Sequence, residues 1–390
     1  RRANAIAFDI REKGRHAREG NLITGKIDRD EHGNSVMIPG SLKCVKAIGW
    51  YIEEYGIAQI SINLTKLNVT PLHVAFDECC KKADARGVRV TGSELVGLVP
   101  LKAMLDAGCY FLQKQQRSVG VSDKELLKIA VKSLGLNDLY PFKPEEKIIE
   151  YAIAARRTQP RAQSVPVPPE PRASARATTA RPLGLIDRSV EEFVEETASE
   201  SPAPGGGSVA AAVGALGAAL ATMVANLSAH KRGWDDRWEE FSNWAEKGKH
   251  YYIELLRLID EDTAAFNAVM AAYGLPQSSE PEKAARKQAI QDATKRAIEV
   301  PLKVMETSLT SMEVIKAMAE TGNPNSVSDS GVAALCARTA VLGAFMNVKI
   351  NAGNLDDKKF VSGVLSRGEK MKSDAVAKEH AILESVAGKM

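Results

Sequence analysis

The chain has 390 residues, of which 26% are charged, and its formal net charge at pH 7 is +3. This length allows two or three domains, each with its own hydrophobic core. The nearly balanced charge gives no reason to expect a nucleic acid or an anionic membrane surface as a partner. Five cysteines without metal-ligand spacing are typical of a reducing compartment, so we expect a cytoplasmic protein without a metal site.

The first residues have the pattern of an amphipathic helix. Its apolar residues recur at helical spacing, namely Ala3, Ile6, Ala7 and Ile10. A domain rarely begins within a helix, so we expect a chain that is truncated at its start.

Two strands are predicted next, at Lys43–Glu53 and Ala58–Leu67, and the short turn between them indicates a hairpin.

A helix is predicted to follow the hairpin and to end near Arg86. Thr70 is the expected N-cap and Pro71 the first helical residue, where its missing N–H costs nothing. A third strand is expected at Val88–Val96. The remaining helices of this half are predicted at Leu101–Gln115, Asp123–Leu134 and Pro144–Ala155. The order of elements resembles an α+β ferredoxin-like sandwich that lacks its first strand.

Residues 156–183 are predicted to be a linker between domains at 1–155 and 184–390. Six prolines and six arginines among small and polar residues leave no material for a hydrophobic core. A role of these arginines in targeting or in nucleic-acid binding is the alternative to a solvated tether.

The second half has helical periodicity throughout. Ser189 and Glu192 have the spacing of a capping box, and Pro301 is expected to kink its helix. The predicted helices are Val209–Leu227, Trp234–Tyr273, Pro281–Glu320, Ser330–Asn351 and Asp356–Gly388. The alternation typical of strands does not occur, so we expect an all-α helical bundle of about five or six helices.

The first of these helices, Val209–Leu227, is uncharged and long enough to span a membrane. It is rich in alanine, however, and has few large apolar residues. Its stripe of small side chains, which lets helices pack closely, consists of Ala210, Gly214, Ala218 and Thr222. We therefore predict a buried helix at the centre of a soluble bundle, beside a second small-residue helix at Gly331–Val348.

Two segments that precede these helices have the composition of ligand-binding loops. Ser201–Ser208 contains three consecutive glycines, and Asn323–Ser330 is rich in serine and asparagine. A glycine backbone can approach a ligand closely, and the N-terminus of the following helix attracts anions. The alternative is that the glycines only cap and pack the helix.

These segments carry a resemblance to a known family. The second half resembles the cyclodeaminase domain of formimidoyltransferase-cyclodeaminase in Pro202–Ala211, Asp262–Phe266, Ser328–Ala334 and Asn347–Asn351. The first half is similar to the C-terminal subdomain of the transferase domain of the same bifunctional folate enzyme. Its matching segments are Gly49–Tyr51, Asn63–Thr65, Thr70–His73 and Ser93–Leu101. The family's N-terminal transferase subdomain, with its general-base histidine, has no counterpart here, so we expect no formimidoyl transfer by this chain alone.

The resemblance implies an enzyme of histidine degradation that converts 5-formimidoyltetrahydrofolate to 5,10-methenyltetrahydrofolate and ammonia. N10 of the folate attacks the formimidoyl carbon, and the departing amine needs a proton carrier. A carboxylate near this carbon stabilises the positive charge present at both ends of the reaction. The implied substrate is a tetrahydrofolate polyglutamate, with no permanently bound cofactor and no metal.

Two alternatives remain open. Stand-alone proteins similar to the second half are methenyltetrahydrofolate cyclohydrolases, and release of ammonia distinguishes the two reactions. A non-catalytic assembly fragment is the other alternative, and binding of folate would separate it from both enzymes. Because the family forms rings of alternating dimers, the resemblance also implies a homo-oligomer.

Asp262 and Asp329 are the candidate catalytic carboxylates. Asp262 lies where its helix changes from charged to apolar, so we expect it to project into the bundle, whereas Asp260 and Glu261 are expected to face solvent. Asp329 lies in the first turn of a buried helix, where complementing the helix dipole is the alternative role. The sequence does not choose which of the two is the acid.

The candidate substrate-binding residues are Gly205, Gly206, Gly207, Ser208, Asn226, Lys231, Asn323, Asn347 and Asn351. Amides on apolar helix faces need a partner, which the edge of a pterin ring or a neighbouring helix can provide. Cations such as Lys231, Arg232 and Lys349 suit the glutamate carboxylates of a folate, and a solvated surface position is the alternative. His230 is a weaker candidate for a proton carrier, and His73 of the first half is expected to be structural.

Overall fold

The structure is a computed structural model of the chain that describes residues 2–20, 24–158 and 184–390, with side chains of the last helix before the gap described up to residue 154. By its internal contacts the chain divides into two compact units. The first comprises residues 1–115 and 123–180, and the second comprises residues 116–122 and 181–390. Most of the predicted linker at 156–183 lies outside the described residues.

The first unit begins with a helix and a long hairpin. The elements are α1 (Arg2–Ile10), β1 (Arg15–His16), β2 (Met37–Ile38), β3 (Val45–Ile52), β4 (Ile57–Leu64) and α2 (Leu72–Asp84). β3 and β4 pair antiparallel with Val45 opposite Leu64, which confirms the predicted hairpin. Apolar side chains of α1, β3, β4 and α2 form one core. A Cβ at Gly49 would lie 2.3 Å from the carbonyl carbon of Ala3, so this glycine lets α1 approach the hairpin.

Two predictions for this part of the chain are wrong. Val88–Val96 is not a strand, because within the described residues no neighbouring strand provides hydrogen bonds for it. Instead, Val88 and Val90 pack against the core of α1 and α2. Thr70 does not cap α2 either: its hydroxyl donates to the carbonyl oxygen of Lys43 at 2.6 Å, and Pro71 occupies the N-cap position.

The remaining elements of the first unit are α3 (Leu101–Lys114), α4 (Asp123–Ser133), α5 (Pro144–Lys147) and α6 (Ile149–Thr158). They share a second core. The single helix predicted at Pro144–Ala155 is divided at Ile148, which is buried and extended. The reason is a local pairing with Val99, whose N–H donates to the carbonyl oxygen of Lys147 and whose carbonyl oxygen accepts from Ile149.

The second unit is an all-α bundle, as predicted. Its helices are α7 (Val190–Ala198), α8 (Gly206–Ala229), α9 (Trp238–Tyr273), α10 (Glu280–Thr321), α11 (Val327–Ala352) and α12 (Lys358–Ala387), with 3₁₀ turns at Leu185–Asp187, Asp235–Arg237 and Pro324–Ser326. The predicted capping box is present, because the Ser189 hydroxyl accepts from the Glu192 N–H at 3.1 Å and the Glu192 carboxylate accepts from the Ser189 N–H at 2.7 Å. Helix α10 contains Pro301 in its interior.

Helices α8 and α11 pack antiparallel through small residues. A Cβ at Gly206 would lie near Asn347, one at Gly214 would lie 3.0 Å from the Cβ of Ala340, and one at Gly217 would lie 2.9 Å from the carbonyl oxygen of Ala333. This confirms the close contact predicted from the small-residue stripe.

Among the described residues, two helical segments are apolar and long enough to cross a membrane, namely Gly206–Ala229 and Pro324–Ala352. Most of the apolar window of α8 is buried within the bundle, as expected for a core helix.

Candidate functional site

The N-terminus of α8 brings together several of the predicted residues. Gly205 is the N-cap, and the two glycines after it lie against side chains from other helices. A Cβ at Gly207 would lie 2.2 Å from Oδ1 of Asp262, and a Cβ at Gly206 would lie 3.3 Å from Nδ2 of Asn347. Glycine is required at 207 because any side chain there would displace the carboxylate.

Asp262 of α9 accepts hydrogen bonds from Ser208, the third residue of α8. The Ser208 hydroxyl lies 3.0 Å from Oδ2 of Asp262, and the main-chain N–H of Ser208 donates to the same carboxylate. Burial raises the pKa of Asp262 above its ordinary value, and the two hydrogen bonds from Ser208 oppose this rise. The positive end of the α8 dipole also favours the ionised form.

The Ser208 hydroxyl has three possible hydrogen-bond partners. Besides Asp262 it lies 3.1 Å from the carbonyl oxygen of Ile259 and 3.3 Å from Oγ1 of Thr263. A hydroxyl has one proton to donate and can also accept. It can therefore donate to Asp262 when the carboxylate is ionised, and donate to Ile259 while accepting from Asp262 when the carboxyl group is protonated.

Asn347 and Asn351 lie one turn apart on α11. Nδ2 of Asn347 donates to the carbonyl oxygen of Gly343 at 3.0 Å, and its amide faces Gly206. Nδ2 of Asn351 donates instead to the carbonyl oxygen of Ala297 on α10 at 2.8 Å, so it joins two helices. Lys349 is exposed, and its ammonium lies 3.6 Å from Glu369.

At the other end of α8, the predicted ligand-binding side chains have protein partners. Asn226 donates to the carbonyl oxygen of Gly120 at 3.0 Å and accepts from the Ser118 hydroxyl at 2.6 Å. His230 accepts from the Ser118 N–H at 3.1 Å, and its pKa is lowered by desolvation and by the charge of Arg117. Asn226 therefore holds the segment 116–122 beside α8, a position that no local sequence pattern predicts.

Lys231 and Asn323 also have local partners at this end. The ammonium of Lys231 lies 3.9 Å from the ring centre of Trp234, a cation–π contact. Asn323 caps the 3₁₀ turn before α11, and its N–H donates to the Ser228 hydroxyl at 2.8 Å. These contacts favour structural roles for both residues.

The structure does not bring Asp329 to Asp262. Asp329 is half-buried in the first turn of α11, and because α8 and α11 are antiparallel this turn lies toward the C-terminal end of α8. A helix of 24 residues is about 36 Å long. The two carboxylates thus lie at opposite ends of the bundle within one chain.

Two residues near the site were not identified from the sequence. Asp260 does not simply face solvent, because its Oδ1 accepts from the N–H of Leu185 at 2.7 Å and its carboxylate lies against Gly184. Thr263 lies next to the Ser208 hydroxyl. No local pattern distinguishes Asp260 from Glu261, which pairs with Arg257. The two residues differ only in the folded structure, where the N–H of Leu185 lies beside the carboxylate of Asp260.

In the first unit, His73 is buried and stacks on Tyr110 with 4.4 Å between ring centres. Burial lowers its pKa, which favours the neutral imidazole and the expected structural role. Asn63 lies on β4 opposite Lys46, and Glu94 lies in the segment after α2. Among the described residues no group of three or more His, Cys, Asp or Glu side chains is arranged to hold a metal ion.

Two family models match the chain. The model described as formiminotransferase-cyclodeaminase matches residues 189–370, and the model described as formiminotransferase domain matches residues 1–154. The chain is also 34% identical over 384 residues to the formimidoyltransferase-cyclodeaminase of Rattus norvegicus, which covers 98% of the chain and 63% of the rat protein. Both units of the chain are therefore similar to formiminotransferase-cyclodeaminases. Ser208, Asp262 and Asn347 all lie within the region that matches the first model.

Members of this family and its single-domain relatives differ in length. The chain spans 63% of the length of the rat relative. It is 39% identical to the methenyltetrahydrofolate cyclohydrolase of Methylorubrum extorquens, over 52% of the chain and 98% of that protein. A solved structure, the formiminotetrahydrofolate cyclodeaminase of Thermotoga maritima, is 31% identical with a TM-score of 0.47, over 52% of the chain and 96% of that structure. The expectation that a transferase subdomain is lacking is not confirmed by these matches, which include the transferase domain.

Proposed function

We propose that the second unit is a formimidoyltetrahydrofolate cyclodeaminase, which converts 5-formimidoyltetrahydrofolate to 5,10-methenyltetrahydrofolate and ammonia as part of histidine degradation. One observation carries the proposal: the carboxylate of Asp262 is held at the glycine-rich N-terminus of α8, with the amide of Asn347 facing the same glycines. The matches to formiminotransferase-cyclodeaminases of other organisms support it.

The proposed role of Asp262 is to carry one proton. N10 of the folate attacks the formimidoyl carbon and forms a tetrahedral aminal. The proton released from N10 passes to the carboxylate and then to the amine, which departs as ammonia. No proton is gained or lost overall. A carboxyl group whose pKa is raised above its ordinary value by burial suits this exchange, and the Ser208 hydroxyl can hydrogen-bond to it in both states.

The glycines provide the space for the substrate. Gly205 and Gly206 are exposed, so a flat ring can approach the backbone of the first turn of α8. Asn347 supplies an amide that can pair with the donors and acceptors of a pterin ring. In the ionised state, Asp262 stabilises the positive charge that is spread over the formimidoyl group and, later, over the methenyl product. The reaction uses only these acid–base and electrostatic steps, so we propose that no permanently bound cofactor is needed.

The test is to supply 5-formimidoyltetrahydrofolate and to measure ammonia release and methenyl-folate formation together. Equal amounts of both products are expected. A methenyltetrahydrofolate cyclohydrolase is the second candidate, favoured by the 39% identity to such an enzyme over nearly its whole length. Hydrolysis of the methenyl compound without ammonia release from the formimidoyl compound would favour this second candidate. Absence of folate binding would favour a non-catalytic assembly role.

We also propose that the protein is cytoplasmic and self-associates through both units in a dimer-based ring. All five cysteines are free, which suits a reducing compartment. Exposed apolar side chains on α8 and α11, such as Leu216, Met346 and Ile350, are suited to a contact with a second copy. If each unit forms its own two-fold contact with another copy of the chain, the copies close into a ring when the angles between the two contacts allow it. Light scattering tests the assembly, and a monodisperse monomer would contradict it.

For the first unit we propose a ferredoxin-like arrangement, supported by the packing of α1 and α2 on one face of the β3–β4 hairpin.

A further inference from the structure

A short segment between α3 and α4, residues 116–122, belongs to the second unit, although the helices before and after it belong to the first. Ser118, Val119 and Gly120 are buried there. A Cβ at Gly120 would lie 2.4 Å from the carbonyl carbon of Ala245 on α9, so glycine is needed for this close approach. The segment is therefore closely fitted to the second unit, and the proposed reaction gives it no role.

Hydrogen bonds to side chains of α8 and α9 hold the segment in place. Asn226 of α8 accepts from the Ser118 hydroxyl at 2.6 Å and donates to the carbonyl oxygen of Gly120 at 3.0 Å. The N–H of Val119 donates to the Ser242 hydroxyl of α9 at 3.2 Å. An amide and a hydroxyl do not titrate near neutral pH, so these bonds do not depend on pH in that range.

One further hydrogen bond does depend on a protonation state. The N–H of Ser118 donates to Nε2 of His230, the C-cap residue of α8, at 3.1 Å. A neutral imidazole has one nitrogen that can accept, whereas both nitrogens of the charged ring carry protons. Protonation would therefore leave the buried N–H of Ser118 facing a second donor, without an acceptor, which is costly in a protein interior. His230 is otherwise exposed, so solvent can supply the proton.

The charged groups around His230 do not stabilise its protonated form. Desolvation and the charge of Arg117, which lies in the segment, lower the pKa of the imidazole. Lys231 and Arg232 follow directly in the chain and are also cationic. On α9, Glu246 lies against the segment through its main-chain nitrogen. No carboxylate in the described part of the chain forms an ion pair with His230.

We propose that the segment 116–122 is a pH-sensitive latch, which stays docked on α8 and α9 while His230 is neutral and detaches when this ring is protonated. When the segment detaches, the ring regains the ordinary pKa of an imidazole, about 6.5. The pKa of the docked ring is lower, so docking is fully effective above a pH of about 6.5 and is lost as the pH falls through the docked value. Because one proton is coupled to release, the equilibrium constant for release rises at most about tenfold per pH unit.

The latch is distant from the site around Asp262. Its contacts include the C-terminal end of α8, whereas Asp262 lies at the N-terminal end of this helix of 24 residues, about 36 Å away. The latch can therefore be tested without measuring activity, and its failure would leave the proposed function unaffected.

Hydrogen–deuterium exchange of the whole chain, followed by mass spectrometry at a pH of about 7.5 and of about 5.5, tests the latch. The rates are corrected for the intrinsic effect of pH on amide exchange. The amides of Ser118 and Val119 should then lose protection at least about threefold on acidification. Amides in the centre of α8 should keep theirs. Unchanged protection of the segment in the unaltered chain would overturn the proposal.

Two variants separate titration of His230 from simple loosening of the segment. His230→Gln keeps an oxygen that can accept but cannot be protonated in this pH range, so the loss of protection on acidification should disappear. Ser242→Ala removes the acceptor of Val119 and should lower protection at both pH values while the pH dependence remains.

His380→Gln, which makes the same change at an exposed position of α12, is the matched control and should behave like the unaltered chain. Circular dichroism confirms that the variants keep their fold. A pH dependence in His230→Gln as large as in the unaltered chain would also overturn the proposal.

Discussion

At the scale of single residues, Asp262 combines two opposing influences. Burial favours its neutral form, while two hydrogen bonds from Ser208 and the N-terminus of α8 favour its ionised form. A carboxyl group balanced in this way can change protonation state at small cost, which suits a proton carrier. If Asp262 only stabilised the N-terminus of α8, its ionised form alone would be sufficient.

Asp262→Asn should lower cyclodeaminase turnover about 10²–10³-fold, because losing a preorganised electrostatic contact in an active site typically costs about 2.7–4 kcal/mol. The measurement is the rate of ammonia release from 5-formimidoyltetrahydrofolate. Asp329→Asn removes a carboxylate at the opposite end of α11 and is the matched comparison. Wild-type turnover in Asp262→Asn would exclude Asp262 from the site. Equal losses in both variants would show that both ends of the bundle contribute.

The same variant should not lose stability at neutral pH. The pKa of Asp262 is raised in the folded chain, so its contribution to stability is fully present below the pKa of the unfolded chain and is lost as pH rises through the folded value. Replacing it with Asn should therefore leave the melting temperature unchanged or higher at pH 7, with no gain at pH 3. A large drop at pH 7 would indicate a structural role.

Ser208→Ala should move the acidic limb of the kcat/KM profile to higher pH. The Ser208 hydroxyl lowers the pKa of Asp262, and the carboxylate must start ionised to take the proton from N10. Loss of a hydrogen bond to a charged group costs about 1.5–3 kcal/mol, so a shift of about one pH unit is expected. Thr263→Val removes the neighbouring hydroxyl and should shift the limb less. An unshifted limb in Ser208→Ala would contradict the proposed pairing.

At the scale of elements, small residues determine how closely α8 packs. Gly214→Leu should destabilise the second unit by about 1–3 kcal/mol or more, because even a Cβ at this position would lie 2.6 Å from the Ser308 hydroxyl and 3.0 Å from Ala340. Gly363→Ala on α12 is the control. No heavy atom lies within 4 Å of its added Cβ, so the better helix propensity should stabilise by about 0.5–1 kcal/mol. Chemical denaturation measures both, and wild-type stability of Gly214→Leu would show that the contact is not close.

The elements that sequence predicted well are those fixed by local interactions. The capping box at Ser189 involves residues three apart in sequence. In the helices of the bundle, apolar residues recur with helical periodicity. The segment at 88–96 has strand-like composition, but a strand exists only with a neighbour that shares its hydrogen bonds. The partners of Asn226 could not be predicted for the same reason: Ser118 and Gly120 are about a hundred positions away in sequence. Asp262 and Ser208, which the structure brings together, could be proposed from the sequence because glycine spacing and the charged-to-apolar transition are both local signals.

At the scale of the whole molecule, the two units should differ in activity. With formimidoylglutamate and tetrahydrofolate supplied, residues 1–390 alone should release no glutamate, whereas supplied 5-formimidoyltetrahydrofolate should yield ammonia. The reason is that the proposed cyclodeaminase site around Asp262 lies within the second unit, whereas His73 of the first unit is buried against Tyr110 and has a structural role. Glutamate release at a rate comparable to ammonia release would show that the first unit contains a complete transferase site.

The antiparallel pairing of α8 with α11 has a consequence for synthesis on the ribosome. Roughly a hundred residues separate the end of α8 from the start of α11. At about 5–20 residues per second, the nascent chain carries an apolar, uncharged helix for about 5–20 s before its partner has been made. During that interval α8 has the length and hydropathy that membrane-insertion factors recognise. Helix α9, which is made directly after α8, is therefore the first long helix able to cover it. We expect early docking of α9 to protect the chain from mistargeting.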